Sequence, residues 1–283
     1  MTYLITGATG DVGSRAVRQL LKKGERPRVF VRDHARALDQ FGDRVDIQTG
    51  DLGNERDLMA AFDGIDRCFL VNSGPKIPER DTIAARVARA AGLKLLVKLS
   101  SMDVNYGLAI GAWHEKGQDA IRKAKVPFTF VQPGGFMSNL LAWSAAVRND
   151  GIVRSSTGAG RRAFIHSGDI ASVSVDALVS GDYEGQSIVL TGPEALTFGE
   201  ITARISAAIG KHIKYQTISD DEARQRYSAI SGSPEETEAH VALWRAIREH
   251  RLDLVTDGVE RILGRKPLTL DQWLKENALA FIG

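Results

Sequence analysis

The sequence predicts an α/β fold, a doubly wound parallel sheet followed by a smaller, mostly helical lobe toward the C-terminus. Three observations predict it. The chain opens on a short apolar strand that runs into three glycines and then an amphipathic helix. Apolar strand patterns then alternate with helical ones as far as Gln132, which implies a parallel sheet covered on both faces. Past Pro133 that rhythm stops and helix-start signals multiply.

The elements follow in order. Tyr3-Leu4-Ile5-Thr6 is the first strand, and Val12, Ala16, Val17, Leu20 and Leu21 mark one face of the helix after it. Between them Gly7, Gly10 and Gly13 are spaced three apart. Gly7 suits a tight turn, Gly10 removes the Cβ that would block a pyrophosphate, and Gly13 lets helix and strand pack closely. The helix N-terminus would present N–H groups and its positive dipole end to phosphates, with Thr9, Asp11 and Val12 lining the same turn. Residues 28–32 read as the second strand, 35–41 as a short helix and 45–49 as the third strand. Asn54 caps a helix carrying Leu58, Met59 and Phe62, and 67–72 is the fourth strand. A helix over 79–91 has Ile83, Val87 and Ala90 on one face. Strand 95–100, helix 114–124 and strand 128–132 complete the alternation.

In the second half, 137–147 reads as helical and 151–166 as a hairpin about Ser155-Ser156-Thr157-Gly158. Asp169 is expected to cap the next helix, and 187–191 to add one more strand to the sheet. Thr197-Phe198-Gly199-Glu200 and Ser219-Asp220-Asp221-Glu222 have the capping-box pattern, and Ser233-Pro234-Glu235-Glu236 sets a cap, a first-turn proline and acidic residues in order. The expected organisation is a dinucleotide-binding domain over 1–150, joined by the strand at 187–191, and a substrate-binding lobe over 151–283.

Composition narrows the function. A net charge of +2 over 283 residues gives no reason to expect nucleic acid or a membrane as partner. No apolar run approaches the roughly 20 residues of a membrane span. The opening strand has no basic region before it, so a signal peptide is not expected, and the single cysteine, Cys68, suits a reducing cytoplasm. The six histidines show no metal-ligand spacing, so no metal is expected. There is no P-loop and no nucleophile elbow.

The tip of the second strand reads cofactor type, because an acidic residue there bonds a ribose hydroxyl and an arginine accommodates a 2′-phosphate. Arg32 stands at that tip and favours NADPH, NADH remaining possible. The alternative leaves Arg32 solvated and gives the ribose to Asp33. Asp51 and Leu52 follow the third strand, and Asn72, Ser73 and Gly74 the fourth. Ser100 and Ser101 end the fifth, and Pro133-Gly134-Gly135-Phe136 follow the sixth. These are successive carboxyl ends of adjacent strands, where one extended ligand would touch them.

The residues resemble the NmrA-like group of atypical short-chain dehydrogenases/reductases, near its triphenylmethane-reductase and quinone-reductase branch. The likeness rests on Gly-Ala-Thr-Gly-x-x-Gly at 7–13, Val31-Arg32-Asp33, Gly50-Asp51-Leu52 and Val97-Lys98-Leu99-Ser100-Ser101. Trp113-His114, residues 127–139, Thr191-Gly192-Pro193-Glu194 and residues 255–259 continue it. It implies a Rossmann domain with a small substrate lobe, NAD(P)H as cofactor, and reduction of quinones, dyes or other conjugated acceptors. Some members of the group turn nothing over and serve as redox sensors, which is the alternative function. The active short-chain enzymes use Tyr-x-x-x-Lys, in which the lysine lowers the tyrosine pKa. Here Lys116 matches the lysine, but Ala112 stands in the tyrosine's place. The candidate catalytic residues are therefore Lys116, His114 and Ser101, with Lys116 read as a hydrogen-bond donor to the cofactor ribose or nicotinamide region in preference to a reactive base, and a solvated surface lysine as its alternative. Phe136, Met137 and Trp143 are candidate walls for an aromatic acceptor, and a monomer or homodimer is expected.

Overall fold

A computed structural model describes residues 1–282 of the chain. Its strands are β1 (Tyr3–Thr6), β2 (Arg28–Val31), β3 (Asp46–Thr49), β4 (Arg67–Leu70), β5 (Leu95–Leu99), β6 (Phe128–Pro133), β7 (Gly135–Phe136), β8 (Ile152–Ser155), β9 (Arg161–Ile165), β10 (Ser187–Leu190), β11 (Ala195–Thr197) and β12 (Lys214–Thr217). The helices are α1 (Asp11–Lys22), α2 (His34–Phe41), α3 (Glu55–Phe62), α4 (Ile77–Ala90), α5 (Ala109–Lys123), α6 (Ser144–Asn149), α7 (Ser167–Ser180), α8 (Phe198–Ile209), α9 (Asp220–Ser228), α10 (Pro234–Arg248), α11 (Gly258–Leu263) and α12 (Leu270–Asn277).

Seven strands form one sheet in the order β10-β6-β5-β4-β1-β2-β3, with parallel pairing between β1 and both β2 and β4. Strand order reverses beside β1, which is where doubly wound sheets bind ligands at their carboxyl edge. The inner strands are apolar on both faces because helices cover both. Leu4, Ile5, Cys68, Phe69, Leu96 and Val97 are all fully buried. Each such large side chain contributes about 1.5–3 kcal/mol on leaving water. One face packs Leu4, Phe30, Leu58, Phe62, Leu70, Ala88, Ile121 and Phe130 into a single cluster with residues of α3, α4 and α5.

The chain forms two compact units along interleaved segments, not two domains divided near residue 150. The first is 1–104, 111–133 and 167–189, and the second 105–110, 134–166 and 190–283. Residues 167–180 fall in the first because α7 lies against α1. Gln19 Nε2 donates to Ser172 Oγ at 3.1 Å, and Arg67 Nη1 donates to the Leu178 and Val179 carbonyls at 2.7 Å, capping the end of α7. Asp169 lies inside the first turn of α7, fully buried, so it is not the residue before the helix that a cap must be.

The second unit is mostly helical, with α6 and α8 to α12, and it also holds two small sheets, β11-β9-β7 and β12-β8. Residues 151–166 are no hairpin. β8 pairs in parallel with β12, while β9 pairs with β7 and β11. The connection between β8 and β9 is held against α10 instead. A Cβ at Gly160 would fall 1.9 Å from the Ile247 carbonyl oxygen, and Arg248 Nη1 donates to the Ser156 carbonyl at 2.5 Å. The helix read over 137–147 is a 3-10 turn, Met137–Trp143, followed by α6. The capping box at α8 is complete, with Thr197 Oγ1 accepting from Glu200 N and Glu200 Oε2 from Thr197 N.

Candidate cofactor site

The β1–α1 corner is built by its glycines. Gly7 has φ +57°, a conformation that side chains with a Cβ rarely adopt, and Gly10 N closes the turn on Gly7 O at 3.0 Å. A Cβ at Gly13 would stand 2.2 Å from that same oxygen, so only glycine lets α1 start this close to the strand. Gly10 is different. Its added Cβ would meet nothing but Gly7 O, at 3.2 Å, so no protein atom covers its outer side. Gly10 is also the N-cap of α1 and supplies no capping side chain to the first turn, in which Val12 and Gly13 are buried. A cradle of this kind fits an anion, because N–H groups and the helix dipole converge on it. Thr6, the last residue of β1, stitches this end to the residue that follows β4. Its hydroxyl donates to Val71 O at 2.9 Å and accepts from Val71 N at 2.7 Å.

At the end of β2, Arg32 is exposed, and its guanidinium has no hydrogen bond or ion pair among the described residues. Asp33 is otherwise engaged. Its carboxylate accepts from Arg36 N at 3.0 Å as the N-cap of α2, while Arg36 Nη2 reaches back to the Thr9 carbonyl at 3.2 Å. Asp51 Oδ1 accepts from Gly53 N at 2.7 Å, a local turn, and Leu52 packs on the first unit's core. Ser73 is exposed and Gly74 turns with φ +82°.

The carboxyl ends of β4 and β5 carry a polar network whose ion pair the motifs did not disclose. Lys98 of β5 is fully buried, and its Nζ lies 2.5 Å from Asp81 Oδ2 on α4, also fully buried. Asp81 Oδ1 accepts from Asn72 Nδ2 at 2.6 Å, and Gln118 Nε2 on α5 donates to Ser100 Oγ at 2.6 Å. Ser101 Oγ accepts from Asp103 N at 3.1 Å, holding the turn after the strand. A lysine inside Leu-Leu-Val-Lys-Leu was the available signal, since a strand buried on both faces can hold a lysine only beside an acid. That acid is Asp81, on the helical face of Ile77 and Ala84.

His114 and Lys116 lie on α5 in contrasting surroundings. His114 is 9% exposed, with Nδ1 buried and unpartnered. Burial first, and then the charge of Lys98, hold its pKa well below the usual histidine value, so the ring is neutral. Lys116 is exposed. Of the candidate acceptor walls, Met137 is only 1% exposed within the second unit's hydrophobic core. Trp143 stacks obliquely on Phe198 with ring centroids 5.1 Å apart, in the same core. Phe136 is half-buried, and Pro133, Gly134 and Gly135 are buried. Of the three, Met137 is thus a core residue, whereas Phe136 and Trp143 each keep part of their surface exposed.

Known proteins share these features. The profile of the NAD(P)H-binding family matches residues 7–180. An NAD(P)H azoreductase of Xenophilus azovorans is 34% identical over 285 residues, covering 98% of each chain. A (4-alkanoyl-5-oxo-2,5-dihydrofuran-3-yl)methyl phosphate reductase of Streptomyces griseus is 34% identical over 281 residues, also covering 98% of each. The NADPH complex of an NADPH-dependent quinone oxidoreductase from Escherichia coli has the same fold, with a TM-score of 0.88 at 20% identity over 97% of this chain and 99% of that one. The NADP(H) complex of Citrobacter triphenylmethane reductase matches with a TM-score of 0.86, also at 20% identity, over 97% and 99%. No helix among the described residues is long and apolar enough to cross a membrane. With that profile spanning more than half of the chain and two relatives matching along nearly all of it, the chain belongs to the NAD(P)H-binding family and is an NAD(P)H-dependent reductase.

Proposed function

We propose that the protein prefers NADPH and reduces a quinone-like, dye-like or other conjugated small acceptor. The observation that carries the cofactor preference is Arg32, a guanidinium without a protein partner at the end of β2, beside an Asp33 engaged in capping α2. Arg32 is the residue to receive the 2′-phosphate as a charge-assisted pair. The Gly7–Gly13 corner takes the pyrophosphate on the N–H groups of α1. Asp51, Leu52, Asn72, Ser73, Gly74, Ser100 and Pro133-Gly134-Gly135-Phe136 are proposed to follow the rest of the dinucleotide along the strand ends. When bound, NADPH supplies the hydride, and such acceptors need little more than placement against it.

Ala112 offers no phenol, so no tyrosine-lysine proton donor operates at this place. Lys116, exposed on α5, is proposed to donate hydrogen bonds to the cofactor ribose or the acceptor. His114, held neutral, is proposed to act at most as a hydrogen-bond donor and not as the source of an imidazolium proton. The acceptor class is supported by relatives named for azo-compound, quinone and furanone-phosphate reduction.

The test has two stages. Calorimetric titration with NADPH and NADH should show the tighter binding for NADPH. Quinones, azo and triphenylmethane dyes and enones are then assayed by the loss of nicotinamide absorbance, and at least one class should turn over. Tighter NADH binding would overturn the cofactor preference. Tight NADPH binding with no turnover of any acceptor would favour a redox sensor, the reading that Ala112 keeps in view.

A further inference from the structure

We infer that Lys98 and Asp81 are positioning residues for the cofactor edge, acting through Asn72 and through the seat of α5. The inference rests on the cofactor site proposed above.

Burying both charges completely is costly, and an apolar pair of similar volume commonly serves stability as well or better. What apolar side chains cannot supply is direction. A carboxylate only accepts hydrogen bonds, so Asp81 Oδ1 fixes which way the Asn72 amide turns, with Nδ2 inward at 2.6 Å. Asn72 stands just past β4, at the carboxyl edge of the sheet. The other oxygen of Asp81 faces both Lys98 and α5. An added Cβ at Gly117 would fall 2.0 Å from Asp81 Oδ2, so α5 can come this near only at a glycine. The next residue, Gln118, ties α5 to Ser100 at the end of β5. Directional bonds from Asp81 thus join α4 to the ends of β4 and β5, and the separate Gln118–Ser100 bond, with the close approach at Gly117, seats the helix that carries His114 and Lys116 beside them. Leu96, Lys98 and Ser100 alternate onto the same face of β5, which is why one strand can serve both attachments.

Two neutral double variants separate positioning from packing. Lys98→Met with Asp81→Leu keeps volume and loses the hydrogen bonds. Lys98→Gln with Asp81→Asn is equally uncharged and keeps them. Thermal melts and circular dichroism report the fold, calorimetry the NADPH affinity, and steady-state kinetics kcat and KM for an acceptor that the wild type turns over. We expect both to fold, the Met/Leu pair to show kcat lower by about 10²-fold with weakened NADPH binding, and the Gln/Asn pair to recover most of that loss. A Met/Leu pair that melts, binds and turns over like the wild type would overturn the inference. Wild-type protein that binds no NADPH would instead sink the cofactor reading. Should the Met/Leu pair not fold, Gly117→Ala decides, since alanine is the better helix former yet would press on Asp81. Loss of NADPH affinity and turnover in a folded Gly117→Ala protein supports positioning, and unchanged binding and turnover refute it.

Discussion

The two ends of the first unit's carboxyl edge treat their polar groups in opposite ways. At the β1–α1 corner α1 starts from a glycine with no capping side chain, and at the end of β2 the Arg32 guanidinium has no hydrogen bond or ion pair among the described residues. At the ends of β4 and β5 the polar groups answer one another, Lys98 with Asp81 as an ion pair, and Asn72 with Asp81 and Gln118 with Ser100 by hydrogen bonds. The difference separates two jobs that strand ends perform. Unmatched donors in an open cradle suit a ligand that brings its own charge. Matched ones, largely buried, hold backbone and side chains in one arrangement and so position what lies at the edge above them.

The largest effect should come from the buried end. Lys98→Met alone leaves the Asp81 carboxylate buried without its cation, and the protein should lose about 3–5 kcal/mol of stability in urea unfolding. A loss below about 1 kcal/mol, the range of an exposed pair, would mean that water reaches Asp81 and that the contrast with the open corner is false.

At the open end the effect belongs in binding and not in stability. Arg32→Ala should weaken NADPH by roughly one to two orders of magnitude, because hydrogen bonds to charged groups contribute about 1.5–3 kcal/mol. NADH, without the phosphate, should bind as before, and the melting temperature should hold. Equal losses for both cofactors would make Arg32 part of the fold. Its neighbour sharpens the point. Asp33→Ala removes the α2 cap and should cost about 1 kcal/mol of stability while sparing the preference for NADPH. A switch of that preference in Asp33→Ala would show that Asp33, not Arg32, reads the ribose.

The smallest effect is a pH dependence. His114 stays neutral when folded, whereas the unfolded chain protonates it below about its usual value of 6.5. The unfolded state then binds more protons, so stability rises with pH up to that value and is lost as pH falls below it. Urea midpoints measured from neutral to mildly acidic pH should show this slope, and His114→Asn should flatten it. Asp220 titrates elsewhere. Arg248 first, and also Arg245, draw its carboxyl down to about 2, so its contribution is lost only as pH falls below the ordinary carboxylate value of 3.8. An unchanged slope in His114→Asn would place the responsible group elsewhere than His114.

Much of the chain was legible where its signals are local. Gly7, Gly10 and Gly13, the Asn54 cap and the Thr197 capping box each act within a few residues, and the structure shows them acting where they stand. Arg32 at a strand end was readable for the same reason. Misreadings occurred where a residue's surroundings come from elsewhere in the chain. Met137 carries the chemistry of an acceptor wall, yet its neighbours in space make it core, while Trp143 packs against that core only partly buried. Asp169 has a capping residue's side chain but sits one turn too far in, because α7 begins at Ser167.

By itself the sequence determined the α/β rhythm, the dinucleotide corner and the helix starts, since hydrophobic period, glycine placement and capping operate over a single turn or strand. Tertiary structure alone decided that β8 pairs with β12 and not β9, that α7 returns to the first unit, and that Lys98 meets Asp81. Those outcomes join residues from 17 to more than 150 positions apart, in pairs such as Lys98 with Asp81 and Gln19 with Ser172. Their reason is non-local: a strand, a helix face or a buried charge takes whichever distant partner satisfies its hydrogen bonds and removes it from water.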